Sequence, residues 1–395
     1  MDISTPQRKI MADKIPGRKI MVIDQTLREG MQFQGLIFSL EQRIKLLEFQ
    51  EALKVDVCQA GYPSAHPMEA KIVARLAAHA KANKFKIRTA ALGRAFVPDA
   101  KILCDTGVDD LHFHLQVKNT ITKDETSRLF HDLGATMAMV RTHRPGAVIS
   151  IAMLDIGKTD SLLLTTWARF LSQDLGIDIL SLPDTSGIMA PNQVYDSIKA
   201  LSGADLKARL SVHCHNDYGM ASANSVMGIL AGACVLEVSA LGIGERNGIG
   251  DLFTTAKQLK NQGLNLRVDT DNIALFRKYY EYVDAIVKEQ TGSGLIQTHT
   301  PVFGEAVLTH VAGTHALGNF GTMAEEKFYL NLLCGHRLVQ KYLDQNNIPH
   351  EKTQISRITE TIKTQSITRG RRLTHDEICT IAASRFPRAL NDRTN

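Results

Sequence analysis

The sequence predicts an α/β chain, a (β/α)8 barrel followed by a small helical subdomain. Short apolar runs alternate with amphipathic stretches eight times over roughly 250 residues, which fits a barrel by length and rhythm. A doubly wound open sheet is the alternative, since periodicity cannot see closure. The candidate polar residues follow the strands, on the face where barrel enzymes keep their sites. From about Asp269 the rhythm changes to helices alone. The expected parts are a leader over 1–17, the barrel over 18–268 and the helical subdomain over 269–395.

In order, residues 19–24 are an apolar run closing on Asp24, and residues 25–32 follow it. Ser39 is placed to cap a helix with Ile44, Leu46, Leu47 and Leu53 on its inner side. Residues 55–60 read as the second strand, followed by a turn over 61–67 and a helix with Ile72, Val73 and Leu76 inside. The third strand is expected over 86–91 with a short helix over 98–105, and the fourth over 110–115 with a long helix over 123–141. Residues 147–154 form the fifth, before a helix through Trp167 and Leu171, and residues 177–182 the sixth, closing on Pro183-Asp184-Thr185. The seventh ends at Val212-His213-Cys214-His215, and small residues over 219–225 suit a tight turn into a helix. The eighth, 235–239, runs into a glycine-rich loop. Beyond it, residues 273–287 form a helix whose aromatic patch (Phe276, Tyr279, Tyr280, Tyr282) is expected to pack between barrel and subdomain. A looser stretch over 291–320 precedes helices expected over 325–345, 354–364 and 375–383.

A net charge of +5 on 395 residues is mild and its Lys and Arg residues are scattered, so no nucleic-acid partner is expected, although anionic substrates suit it. Six cysteines stand apart with no Cys-x-x-Cys pair, as buried thiols of a reducing compartment do. No apolar run reaches membrane-spanning length and residues 1–18 lack a signal-peptide core, so a cytoplasmic protein without a membrane partner is expected.

Side chains alternate faces along a strand, so His213 and His215 point the same way and can hold one cation between them. The ordinary alternative is two polar residues at a strand end. Glu29 follows the first strand on the same barrel face and completes a set of two imidazoles and a carboxylate. Such a set binds a divalent ion (zinc, manganese, magnesium or iron) and leaves positions open for substrate. Arg28 adds a permanent cation beside that ion, which suits a substrate whose carbonyl oxygen gains negative charge. A 2-oxo acid, chelating through its keto oxygen and carboxylate, is the natural guest. Without the histidines, Arg28-Glu29 reads as an exposed ion pair.

Four motifs carry a resemblance: Asp-x-Thr-Leu-Arg-Glu-Gly-x-Gln (Asp24 to Gln32), Pro-Asp-Thr (Pro183 to Thr185), His-Cys-His-Asn-Asp (His213 to Asp217) and Leu-Gly-Ile-Gly-Glu-Arg-Asn-Gly (Leu241 to Gly248). The chain resembles the DRE-TIM metallolyase superfamily (HMGL-like, or pyruvate carboxyltransferase, domain), and within it the homocitrate synthase and 2-isopropylmalate synthase branch. The likeness covers the barrel and reaches weakly into the helical part, where Gly313-Thr314-His315 is similar to the branch's Gly-x-His.

The resemblance implies a metal-dependent Claisen-type condensation of an acyl-CoA, expected to be acetyl-CoA, with a 2-oxo acid, in a homodimer serving amino-acid biosynthesis. It implies Glu29, His213 and His215 as metal ligands, with Glu29 the homocitrate-type choice where isopropylmalate-type enzymes carry Asp. Arg28 would stabilise the enolate or alkoxide oxygen, and Gln32 and Thr185 would touch the oxo acid. His315 would be the acid–base residue, lent by the partner chain's helical subdomain. The loop with Gly242, Gly244, Glu245 and Asn247 would lie near the acyl-CoA.

Three departures qualify the likeness. The branch has Ser-x-Glu at the end of strand five, its glutamate assisting proton transfer, where this chain has Ala152 and Leu154. Gln59 stands where the branch has Glu, and Met31 replaces the Glu of the first motif. No counterpart of the long leucine-sensing domain of many isopropylmalate synthases follows the helical part, so feedback through it is not expected. The alternatives are a carbon–carbon lyase or aldolase of the superfamily and a non-catalytic relative. Against cleavage, the loop at 242–248 lacks the cysteine of 3-hydroxy-3-methylglutaryl-CoA lyases, and the aldolases' histidine is absent near Gln32.

His112 and His114 are read as alternating on the fourth strand, with only one face meeting the pocket; His112 aligns with the branch's substrate-side histidine and is the substrate-binding candidate. His66 could shape the oxo-acid pocket, or be an exposed loop residue. The basic cluster over 369–372 is expected to be a solvated turn rather than a phosphate or CoA site.

Overall fold

The computed structural model describes residues 17–117, 123–311 and 327–384. Two compact units divide the chain, Met1–Leu295 and Ile296–Asn395.

The first unit is a closed barrel. Its strands are β1 (Lys19–Asp24), β2 (Val57–Gln59), β3 (Arg88–Arg94), β4 (Asp110–Gln116), β5 (Val148–Leu154), β6 (Ile179–Asp184), β7 (Arg209–Cys214) and β8 (Val235–Val238). Each pairs in parallel with the next, and β1 pairs with both β8 and β2, which closes the ring and excludes the open sheet. Every residue of β6 is buried, because the helices cover its outer face and the barrel interior takes the inner one.

The covering helices are α1 (Leu40–Ala52), α2 (Pro67–Ala82), α3 (Val97–Asp105), α4 (Lys123–His143), α5 (Ser161–Arg169), α6 (Pro191–Ser202), α7 (Ala221–Ala231) and α8 (Leu252–Asn261). Ser39 caps α1 as expected: its Oγ accepts from Gln42 N, while the Gln42 side chain accepts from Ser39 N. A short strand β9 (Asn265–Leu266) extends the sheet beside β1.

Helix α9 (Ile273–Thr291) belongs to this unit, and its aromatic patch packs on the barrel. Tyr279 Oη donates to Asp24 Oδ2 at 2.8 Å and accepts from Gln50 Nε2 at 3.1 Å. Tyr280 Oη donates to Asp251 Oδ2 at 2.7 Å, and Phe276 meets Phe253 edge to face. No helix among the described residues is long and apolar enough to cross a membrane.

Inside the barrel, Ile23, Val57, Ala90, Ile179 and Val235 form an apolar plug. Toward the C-terminal ends of the strands the inward positions turn polar: Gln25, Gln59, His112, Ser150, Ser181, Ser211 and Glu237 are all buried. That polar floor supports the site.

The second unit pairs β10 (Thr309–His310) with β11 (Lys327–Phe328) and adds α10 (His336–Gln345), α11 (Ile355–Arg369) and α12 (His375–Ala383) around Leu338, Val339, Leu343, Ile358, Ile362 and Ile378. The helix expected over 325–345 is corrected here. Residues 327–328 are extended, paired with 309–310, and the helix starts only after Gly335. The strand partner lies outside the sequence window, so local periodicity could not reveal it. Helix α11 runs past the expected end to Gly370, whose φ of +63° suits a C-terminal stop. The basic turn that follows is exposed, and Arg369 and Arg371 pair with Glu377.

Candidate metal centre and active site

The mouth of the barrel opens into a cavity of about 700 Å³. The turn after β1 is a short 3-10 segment, Glu29–Gln32, that buries Glu29 while leaving Gln32 at the rim. His213 lies in β7 and His215 just beyond it, held by a bridge to Ile249. Glu29, His213 and His215 come together with ligand atoms all within 4.8 Å of one another, although 184 residues separate Glu29 from His213.

The two histidines face each other through Nε2 at 3.2 Å. One ring nitrogen can donate to the other at that separation, and two nitrogens bound at about 2.0–2.1 Å to one ion would likewise stand about 3 Å apart. The donor set and its spacing fit a divalent ion. Burial alone would raise the Glu29 carboxyl, but Arg28, His213 and His215 draw it down to about 2, so it is a carboxylate. Burial and the neighbouring His213 hold His215 down at about 3, neutral and free to ligate.

Arg28 is fastened on all sides. Nε donates to Gln59 Oε1 at 2.6 Å, Nη2 to Gln25 Oε1 at 2.9 Å, and Nη1 to Gln32 Oε1 at 3.2 Å and to Glu29. Four of the five guanidinium N–H groups are engaged, leaving one for a ligand. Because Arg28 can only donate, each glutamine turns its oxygen to it and its NH2 away. Gln25 Nε2 therefore donates to Glu237 Oε2 at 2.6 Å, and Gln59 Nε2 to His112 Nδ1 at 2.9 Å. His112 is thereby a neutral ring carrying its hydrogen on Nε2, in keeping with burial that draws its pKa to about 4. No described residue accepts that hydrogen, and His112 lines the cavity, so the ring offers a donor to a guest.

Glu237 was not singled out by sequence reasoning. Its Oε1 accepts from Ser211 Oγ at 2.7 Å, and its Oε2 stands 3.3 Å from His213 Nδ1, an ion-pair distance rather than an aligned hydrogen bond. Burial raises its pKa, but His213, Ser181 and Ser211 outweigh burial and hold it at about 2. The available signal was a glutamate inside the buried run Val235-Leu236-Glu237-Val238, where a charge must find a partner.

Thr185 and Gln32 both line the cavity; Thr185 Oγ1 also accepts from Asp155 N at 3.0 Å. The glycine-rich loop folds against the centre. Glu245 N donates to Glu29 Oε1 at 3.1 Å, and a Cβ on Gly244 would come within 2.9 Å of Glu29 Cγ, so only glycine allows that approach. Gly242 lies at φ +65° and Gly248 at φ +83°, with Gly248 packed on the Gly242 carbonyl. These glycines serve the loop's own fold. Glu245 and Asn247 are exposed at its tip. Arg246 ties neighbouring loops, donating to Asp217 Oδ1 at 2.7 Å and to Thr185 O at 2.6 Å.

One strand reading is corrected. His112 and His114 are two residues apart and so share a face, and both line the cavity. Ala152 and Leu154 also line it, so the β5 wall is apolar beyond Ser150. His66 borders the cavity as the N-cap of α2, its Nδ1 accepting from Met68 N at 3.1 Å. Met31 contacts Arg43 through sulfur at 3.1 Å. His315 lies outside the described residues.

Fold and site together define a (β/α)8 barrel with a three-ligand candidate metal centre at the C-terminal mouth. A family model described as HMGL-like matches residues 19–279, and the chain belongs to this family of DRE-TIM enzymes. It is 30% identical over 312 residues to a 2-isopropylmalate synthase of Sulfurisphaera tokodaii, covering 77% of this chain and 76% of that one. It is 29% identical over 314 residues to a homocitrate synthase of Saccharolobus islandicus, covering 76% and 64%. The HMG-CoA lyase of Bacillus subtilis shares the fold at a TM-score of 0.59 and 18% identity, covering 71% of this chain and 96% of that one.

Proposed function

We propose that the protein condenses an acyl-CoA, acetyl-CoA in the simplest case, with a 2-oxo acid in a metal-dependent Claisen-type reaction. The observation that carries this reading is the buried Glu29, His213, His215 set with Arg28 fastened beside it. The synthase names of the relatives support it. A divalent ion, zinc, manganese or magnesium, held by the three ligands would polarise the keto group of the oxo acid.

The chain's own residues do the rest. The remaining N–H of Arg28 meets negative charge growing on that oxygen, and four fixed hydrogen bonds keep the guanidinium from reorganising. His112 Nε2–H, Gln32 and Thr185 orient the oxo acid from the walls they line. The loop at Gly242, Gly244, Glu245 and Asn247 borders the acyl-CoA side, and His315 is the acid–base residue. The protein acts as a cytoplasmic homodimer in amino-acid biosynthesis. The leader over 1–17, the barrel over 18–268 and the helical part over 269–395 remain the proposed division of the chain, with α9 counted in the compact unit of the barrel.

The deciding assay offers acetyl-CoA and a panel of 2-oxo acids to the metal-loaded protein and follows thiol release. Release that depends on one of the acids is expected; none with any acid would sink the reading. A second reading, carbon–carbon cleavage, draws on Ala152 and Leu154, which leave no carboxylate on the β5 wall. It would appear as product formation from a 3-hydroxy acyl thioester or a 4-hydroxy-2-oxo acid, without condensation.

A further inference from the structure

Two connections on the C-terminal face build the candidate metal centre, and both are long for a βα turn, where about two to six residues are usual. Residues 25–39 join β1 to α1 and carry Arg28 and Glu29; residues 239–251 join β8 to α8 and carry the glycine-rich loop. They meet where Glu245 N donates to Glu29 Oε1 at 3.1 Å. Each contains one short 3-10 turn, Glu29–Gln32 and Ala240–Gly242, and no longer element. The position of Glu29 against the histidines therefore depends on what holds these connections from outside.

One helix holds both. Tyr279 and Tyr280, adjacent and buried in α9, take one connection each. Tyr279 Oη donates to Asp24 Oδ2 at 2.8 Å, at the root of the Glu29 connection. The other oxygen of Asp24 accepts from Thr26 N at 2.8 Å and from Thr26 Oγ1, which itself accepts from Ala240 N at 2.9 Å. Tyr280 Oη donates to Asp251 Oδ2 at 2.7 Å and accepts from Phe253 N at 2.8 Å, at the far end of the glycine-rich connection. The Asp251 carboxylate also takes the backbone N–H of Leu241, which lies at φ +55°. A left-handed leucine is strained, and its surroundings must hold it in place. Burial pushes both phenols well above their usual range, so each keeps the hydrogen it donates.

A third pin lies at the end of the helix. Gln290 follows Tyr279 by eleven residues, three turns, so the two share a face of α9 about 16 Å apart. Its Oε1 accepts from Ile37 N at 3.0 Å and its Nε2 donates to Ile37 O at 2.7 Å. One side-chain amide thus satisfies both backbone groups of an exposed loop residue, and Ile37 lines the mouth of the cavity. Helix α9 pins the Glu29 connection at Asp24 and at Ile37, on either side of the ligand candidate.

We infer that α9 is a splint: Tyr279, Tyr280 and Gln290 are positioning residues that hold the two connections at the spacing which brings Glu29 to His213 and His215. None of the three lines the cavity, so each acts through the backbone it pins. This rests on the metal-centre reading and not on which reaction the centre supports.

The test uses the full chain. Zinc affinity is read by titration against a chelating indicator, and amide hydrogen exchange is followed peptide by peptide on the metal-free protein. Gln290→Ala alters an exposed side chain and should leave the melting temperature unchanged. It is expected to speed exchange over 33–38 and to weaken zinc binding about tenfold. Tyr280→Phe should speed exchange over 239–248 ahead of the rest of the barrel, with a comparable loss of zinc affinity. A merely structural role would instead speed exchange throughout the barrel, in step with lost stability. Zinc affinity unchanged in both variants, or exchange that rises uniformly, overturns the splint. If the unmodified protein takes up no zinc, the metal-centre reading falls, and the exchange pattern alone decides whether α9 pins the two connections.

Discussion

Glu237 Oε2 stands 3.3 Å from Nδ1 of His213, a buried carboxylate behind the imidazole whose other nitrogen faces His215. The same oxygen accepts from Gln25, which in turn accepts from Arg28. The polar floor of the barrel thus joins a metal-ligand candidate to Arg28 through two side chains.

Glu237→Gln keeps the shape and removes the charge that orients and polarises His213. Metal affinity is expected to fall roughly 10–100-fold. Titration of the metal-free variant against a chelating indicator reads this directly. Unchanged affinity would reduce Glu237 to a packing residue.

Metal that binds only the folded protein stabilises it by mass action, about 2.7 kcal/mol at a hundred times Kd. The melting temperature should rise on addition of the divalent ion and fall with chelator. His213→Ala should lose both the shift and stoichiometric metal. Retained metal in that variant would refute the ligand assignment.

Arg28→Lys keeps the charge but loses the planar fork that meets Gln25, Gln59, Gln32 and Glu29 at once. The expected outcome is a fall in kcat of roughly 10²–10³-fold with metal content retained. Steady-state rates beside elemental analysis separate the two effects.

Tyr279→Phe removes the hydroxyl shared by buried Asp24 and Gln50. Leaving both without that partner should cost about 1–3 kcal/mol. Urea unfolding monitored by circular dichroism measures it, and a loss below a few tenths would argue that water replaces the hydroxyl.

Burial raises the Asp110 carboxyl from 3.8 to about 6, against the pull of the adjacent Arg88, so the folded chain holds that proton more tightly than the unfolded one. The resulting stabilisation is full below pH about 4 and is lost as pH climbs through about 6. Asp110→Asn has no such proton, so the stability difference between native and variant should change by up to about 3 kcal/mol across that window. Urea midpoints from pH 4 to pH 7 give the slope; parallel curves would contradict it.

The barrel was legible in the sequence because each strand and helix announces itself locally, through apolar runs of strand length and a cap such as Ser39. The candidate triad was legible for a related reason. His213 and His215 share a face by the two-residue period, and Glu29 follows a strand whose end points the same way. Gln290, Gln25 and Glu237 were not legible. Nothing near Gln290 in the chain names Ile37 as its partner, and a glutamate among valines shows only that some partner must exist.

By itself the sequence determined which side chains could ligate, on which face of which strand, and that the strands alternate with helices. Those properties follow from backbone periodicity over a few residues. Only the tertiary structure decided that the ring closes, that Glu29 meets the histidines within 4.8 Å, and that Gln25 and Gln59 turn their oxygens toward Arg28. Closure and the direction of a hydrogen bond depend on groups distant in the chain, and no local pattern records which of them will meet.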